Sequence, residues 1–128
     1  MWLISTVISH KIVQGNNVTG LDCSFFNAGE TCRYKSLPIR AIGSRKDFTG
    51  GKLVGYTCLE DDLIYPDYTG HLSVGDMIVL GNTGGYSLVF KPPFILPDIP
   101  VVALKTDGTS KLIKTRQTFD EMLINYII

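Results

Sequence analysis

Apolar and polar positions alternate or cluster in short runs along most of the chain, and each run ends at glycine, proline or asparagine. Residues 2–14 (WLISTVISHKIVQ) mix apolar and polar positions and stop at Gly15-Asn16-Asn17, which predicts a long first strand and a turn. Val18 to Phe26 is then placed to pair back on that strand. Asn27 to Ser36 has no clear period and reads as an ordered loop. Leu37 to Ile42 is a short strand, and Pro38 assigns it an edge or strand-start position. Lys52 to Thr57 is strand-like and delivers Cys58 to its end. The acidic run Leu59-Glu60-Asp61-Asp62 and the stretch Tyr65-Pro66-Asp67-Tyr68 read as looser structure. Met77 to Leu80 and Tyr86 to Phe90, joined by Gly81-Asn82-Thr83-Gly84-Gly85, predict a hairpin with a glycine-rich tip. Pro92, Pro93, Pro97 and Pro100 make an extended connection, and Val101 to Thr106 and Leu112 to Lys114 form two further strands across Asp107-Gly108-Thr109.

One segment departs from this rhythm. Phe119, Met122, Leu123, Tyr126 and Ile127 recur at helical spacing, and Thr118 with Glu121 three residues on fits a capping box. This predicts a closing helix whose apolar stripe packs against a sheet. Composition agrees with the rest. Ile, Val and Thr supply 33 residues and Phe and Tyr 12, against three Ala and three Glu, so β-branched and aromatic residues outweigh the good helix formers. The expected fold is mainly β: a single Greek-key β-barrel or sandwich domain over residues 1–128, with about seven to nine mostly antiparallel strands and one C-terminal helix.

Charge removes several classes of function. Twelve basic residues balance twelve acidic ones, which sets nucleic acid aside as a partner. No apolar run approaches membrane-spanning length. Cys23, Cys32 and Cys58 are odd in number and no export signal precedes them, which points to free thiols and a cytoplasmic setting. Their spacing, and that of His10 and His71, fits no metal site.

Few positions demand chemistry when taken singly. Cys58 precedes a run of three carboxylates, which favours a neutral, proton-donating thiol, although a lone cysteine is more often a small buried hydrophobe. The Gly84-Gly85-Tyr86 tip lets backbone approach a ligand and offers a hydroxyl, or is an ordinary turn. A cysteine hydrolase lacks an adjacent base.

Their order says more. Gly55-Tyr56-Thr57-Cys58, then Asp62, then Leu72-Ser73-Val74-Gly75-Asp76, then Gly84-Gly85-Tyr86, and a tail of Arg116-Gln117-Thr118-Phe119-Asp120-Glu121-Met122-Leu123, resemble one family. It is the C-terminal β-domain of the pyridoxal-phosphate-dependent ornithine, diaminopimelate and arginine decarboxylases. The resemblance implies a composite active site, completed across a homodimer interface by an α/β barrel that carries the cofactor lysine. Such a barrel needs about 250 residues. It must therefore come from elsewhere, and the isolated chain is expected to be inactive and not to hold pyridoxal phosphate covalently. The same resemblance makes Cys58 the proton donor near the substrate α-carbon and Tyr86 the hydroxyl that reaches the cofactor phosphate. Asp62 becomes a loop-ordering carboxylate.

Leu59 stands where the family has an acidic residue that reads a distal amino group. A leucine cannot pair with an ammonium, which argues against a standard diamino-acid site unless Glu60 or Asp61 takes over that task. The alternative function is a stand-alone β-domain acting as a binding or assembly module.

Overall fold

The computed structural model describes residues 1–43, 45–89, 91 and 94–127. Two compact units divide the chain, Met1–Phe90 and Lys91–Ile128.

The first unit is a six-stranded, nearly closed sheet. It contains β1 (Leu3–Val13), β2 (Asn16–Leu21), β3 (Ile39–Ile42), β4 (Phe48–Val54), β5 (Leu63–Leu72) and β6 (Met77–Leu80), in the order β3-β6-β1-β2-β4-β5. β1 alternates as the sequence requires: Leu3, Ser5 and Val7 face the core, while Ile4 and Ile8 stay exposed. It turns into β2 through Gln14 and Gly15, both at positive φ, the geometry of a two-residue type I′ turn. β2 runs parallel to β4, and every other pairing in the sheet is antiparallel. Leu21, Leu53, Ile64, Leu72, Ile78 and Leu80 fill the interior. Two of the buried polar groups are partnered in place. Thr19 Oγ1 donates to the Gly50 carbonyl at 2.7 Å, and Ser5 Oγ donates to Asp22 Oδ1 at 2.6 Å.

Three local expectations need correction. The expected strand Val18 to Phe26 stops at Leu21, α1 (Phe25–Ala28) begins within that stretch, and α2 (Thr31–Tyr34) lies in the segment read as a loop, so two single-turn helices follow β2. The stretch around Tyr65-Pro66-Asp67-Tyr68 lies within β5, a ten-residue strand. Among the described residues β5 is the end strand of the sheet and pairs with β4 alone, so Pro66 withholds no N–H that a second neighbour there needs. The predicted hairpin after β6 does not form. Residues 86–89 make a turn, closed by the Val89 N–H on the Tyr86 carbonyl, and Tyr86 itself has φ 63°. A left-handed residue at that point cannot begin a strand. Phe90, Pro92 and Pro93, which also carried those expectations, lie outside the described residues.

The second unit carries a hairpin, β7 (Val101–Leu104) and β8 (Ser110–Lys114), turning through Gly108 at φ 82°. Asp98 is its organising polar residue. Its side chain takes the Lys114 ammonium, and its N–H donates to the Gln117 side chain at 3.1 Å. A closing helix, α3 (Phe119–Met122), follows, with the expected capping box: Glu121 N–H donates to Thr118 Oγ1 at 3.1 Å, and Thr118 N–H to Glu121 Oε2 at 2.8 Å. The apolar stripe behaves differently from expectation. Phe119, Leu123, Tyr126 and Ile127 are exposed. The backbone leaves the helix at Leu123, so positions seven and eight of the repeat never reach the same face.

The mainly β expectation holds, with eight strands and one C-terminal helix among the described residues.

Candidate active site

The loop from Gly55 to Asp62, between β4 and β5, is built around one carboxylate. Asp62 is 2% exposed and accepts three hydrogen bonds. Thr57 N–H and Thr57 Oγ1 donate to its Oδ2 at 3.0 and 2.5 Å, and Phe25 N–H donates to its Oδ1 at 2.7 Å. The Asp62 backbone adds a fourth tie, its carbonyl taking the Gly55 N–H at 2.8 Å. A side chain at Gly55 would overlap the Asp62 carboxylate, which explains a glycine there. Cys58 and Leu59 ride on this pinned loop, and both are exposed. Leu59 N–H donates to Thr57 Oγ1 at 3.4 Å.

The same loop is fastened to the segment that carries α1 and α2. Tyr56 N–H donates to the Cys23 carbonyl at 3.2 Å. Asp61 pairs with Arg33 at 3.3 Å, and the Arg33 guanidinium lies 4.0 Å from the centre of the Phe25 ring. The bond from Phe25 N–H to Asp62 completes the set. A buried carboxylate that takes one buried and one part-buried backbone donor is thus the joint between the Cys58 loop and α1.

α1 also forms one wall of a cavity of about 210 Å³. Phe25, Phe26, Gly29 and Glu30 line that side, and Gly85, Tyr86 and Ser87 line the other. Gly29, at φ 90°, permits the close approach: a Cβ there would sit 3.1 Å from the Gly85 carbonyl oxygen. Tyr86 is 71% exposed. Ser87 is 4% exposed, and its hydroxyl has no hydrogen-bond partner among the described residues. The Cys58 loop is thus bonded to α1, and the Tyr86 turn lies across the cavity from α1. Sequence reasoning missed Phe25, Phe26, Glu30 and Ser87: Phe25, Phe26 and Ser87 fell within expected strands, and Glu30 lies in the segment that shows no period.

The other two thiols are interior. Burial pushes Cys23 up to about 12, against a weaker opposing hydrogen bond from Ser5, with the Asp22 and Asp62 charges adding to the rise. Burial likewise raises Cys32. Neither is poised for thiolate chemistry. Among the described residues no group of three potential ligands could hold a metal ion, and no helix is long and apolar enough to cross a membrane.

No family model matches the chain. One curated relative does, L-glutamyl-[BtrI acyl-carrier protein] decarboxylase of Niallia circulans, 28% identical over 89 residues. The match covers 68% of this chain and 21% of that protein. Among solved structures, diaminopimelate decarboxylase from M. jannaschii aligns with a TM-score of 0.84 at 17% identity, covering 99% of this chain and 30% of its own. The Helicobacter pylori diaminopimelate decarboxylase, complexed with L-lysine, aligns at 0.82 and 20% identity, covering 97% and 31%. SrLDC in complex with PLP and cadaverine aligns at 0.58 and 22% identity, covering 73% and 25%. The chain thus spans about a fifth of the curated relative and under a third of these solved structures. Its fold is that of a β-domain of the decarboxylase family named by the sequence motifs.

Proposed function

We propose that this chain, which shares the β-domain fold of the pyridoxal-phosphate-dependent decarboxylases, supplies one half of a composite decarboxylase active site. The other half is an α/β barrel that holds the cofactor, and the assembly is a homodimer of such pairs. The observation that carries the reading is the joint at Asp62. It fixes the exposed Cys58 loop to the segment that lines a cavity together with Tyr86 and Ser87.

The residues present suit pyridoxal phosphate as a group presented from outside. The space beside Gly85 is open, since a Cβ at that position would meet nothing within 4 Å, so a cofactor ring can approach the backbone closely. Tyr86 and the unpartnered Ser87 offer hydroxyl donors at the cavity. Among the described residues no lysine lines it, and the reading gives the lysine for covalent attachment to the barrel. When bound, the cofactor supplies the electron sink that lets an amino acid lose its α-carboxylate as CO2.

This chain's own contribution is proton delivery and positioning. The Cys58 thiol gives its proton to the α-carbon once CO2 has left, and water returns a proton to the thiolate. The substrate exchanges CO2 for a proton, so atoms and charge balance. Asp62 holds the loop so that Cys58 Sγ stays at one place, which is where a proton donor gains most of its effect. Tyr86 would help hold the phosphate by donating its hydroxyl.

The test is assembly and turnover together. The chain mixed with a barrel protein carrying pyridoxal phosphate should sediment as a larger complex and release CO2, while the chain with cofactor alone should release none. Release by the chain alone, or failure to form any complex with such a barrel, overturns the proposal.

A further inference from the structure

We propose that the second unit carries a separate ligand site, in which the Lys91 and Lys114 ammoniums take the carboxylate of a short aliphatic acid. None of its residues belongs to the Cys58 loop or to the cavity beside Tyr86.

The site is a cavity of about 450 Å³ lined wholly by the second unit, from Lys91 and Asp98 past the end of β8 to α3 and Asn125. That corresponds to roughly fifteen waters at ~30 Å³ each, room for a small acid and some solvent. Met122 and Ile124 supply apolar surface for an alkyl chain.

The acceptors at this cavity are already engaged. Asp98, its side chain 18% exposed, takes the Lys114 ammonium on one carboxylate oxygen and the Ile99 N–H on the other at 2.8 Å. Glu121 Oε2 accepts the Thr118 N–H of the capping box. Gln117 accepts the Asp98 N–H on its side-chain oxygen, which leaves its NH2 group as a donor. The ammoniums keep donors to give. Lys91 spends one of its three on the Leu96 carbonyl at 3.1 Å and has no ion-pair partner within 4.0 Å among the described residues.

Charge sets the valence of the ligand. Lys91 and Lys114 bring two positive charges and Asp98 cancels one, while Glu121 is exposed and tied to the start of α3. One negative charge balances what is left. A dianion would place its second charge against Asp98 in a partly buried cavity, where repulsion is less screened than in open water. Burial lowers the pKa of Lys91, with Asp98 opposing the fall and Lys114 adding to it. A bound carboxylate offsets both burdens on that ammonium.

The experiment is an amide NMR titration of the full chain with pentanoate, n-pentylammonium and succinate. Pentanoate is expected to shift the amides of Lys91, Lys114, Gln117 and Asn125 saturably, pentylammonium to leave them in place, and succinate to bind severalfold more weakly. Lys91→Gln should weaken pentanoate about fivefold, the scale of one partly exposed ion pair, and Lys91→Arg should retain it. Ile124 is 77% exposed, so Ile124→Asp keeps the fold and should weaken pentanoate by a similar factor through like charge. No saturable shift at these amides, equal binding of pentylammonium, succinate as tight as pentanoate, or pentanoate affinity untouched by Lys91→Gln overturns the proposal. Neither barrel, cofactor nor turnover enters the measurement, so its outcome and that of the CO2 assay are read separately.

Discussion

Asp62→Ala is the substitution that puts the geometry under most strain. The carboxylate is buried and takes three hydrogen bonds, from Phe25 N–H at 2.7 Å, Thr57 N–H at 3.0 Å and Thr57 Oγ1 at 2.5 Å. Alanine leaves both backbone donors without their acceptor, and each such group costs about 1–3 kcal/mol when water cannot reach it. The Thr57 hydroxyl can rotate to another acceptor and adds little. The expected loss is about 3–5 kcal/mol, a large share of the 5–15 kcal/mol typical of a domain. Asp62→Asn keeps an acceptor for Phe25 but turns an amide donor toward Thr57, so it should fall between, at about 1–3 kcal/mol. Urea unfolding followed by tryptophan fluorescence and far-UV circular dichroism measures both, with the denaturant slope showing whether the transition stays two-state. Amide exchange adds a local signature: Phe25 and Thr57 should lose protection first in Asp62→Asn. A loss below about 1 kcal/mol for Asp62→Ala, or unchanged exchange at both amides, would refute the claim that this carboxylate joins the Cys58 loop to α1.

Two further outcomes follow from the same geometry. Cys23 has its thiol raised by burial to about 12 from 9.0, so the unfolded chain gives up this proton first as pH climbs; stability holds below about 9 and falls between about 9 and about 12, by about 1.4 kcal/mol per pH unit for this group. Cys23→Ala should flatten that part of a stability-against-pH curve, and an unchanged slope would contradict it. Gly29→Ala places a side chain at φ 90° and 3.1 Å from the Gly85 carbonyl, so it should destabilise by about 1–3 kcal/mol and shift the amides of Gly85 and Ser87; a neutral effect in urea would count against the close approach that closes the cavity.

What could be read in the sequence was whatever repeats or carries its own turn chemistry. β1, the edge position of β3 and the capping box of α3 each follow from local rules, and the structure keeps them. β5 was hidden by Pro66 and by its charged neighbours, because only the sheet's order shows that the strand lies at an end where the missing donor is harmless. The hairpin after β6 failed on a single backbone angle at Tyr86 that no neighbouring residue announces. The stripe after Thr118 has helical spacing, but helical spacing does not keep the chain helical past Leu123. At the candidate site the motif order picked out Cys58, Asp62 and Tyr86. The cavity wall contributed by Phe25, Phe26 and Glu30 was beyond reach, since it exists only once Asp62 has drawn α1 against the loop 37 residues away.

The most direct test of the composite site is the rate of CO2 release by the chain assembled with a cofactor-bearing barrel protein, comparing native Cys58 with Cys58→Ala. The account predicts release only from the assembled pair. It also predicts a fall in kcat of about 10²–10⁴ on losing the thiol with little change in KM, because proton delivery acts at the α-carbon after the substrate is bound. Undiminished kcat in Cys58→Ala, in an assembly that still binds substrate and cofactor, would contradict it.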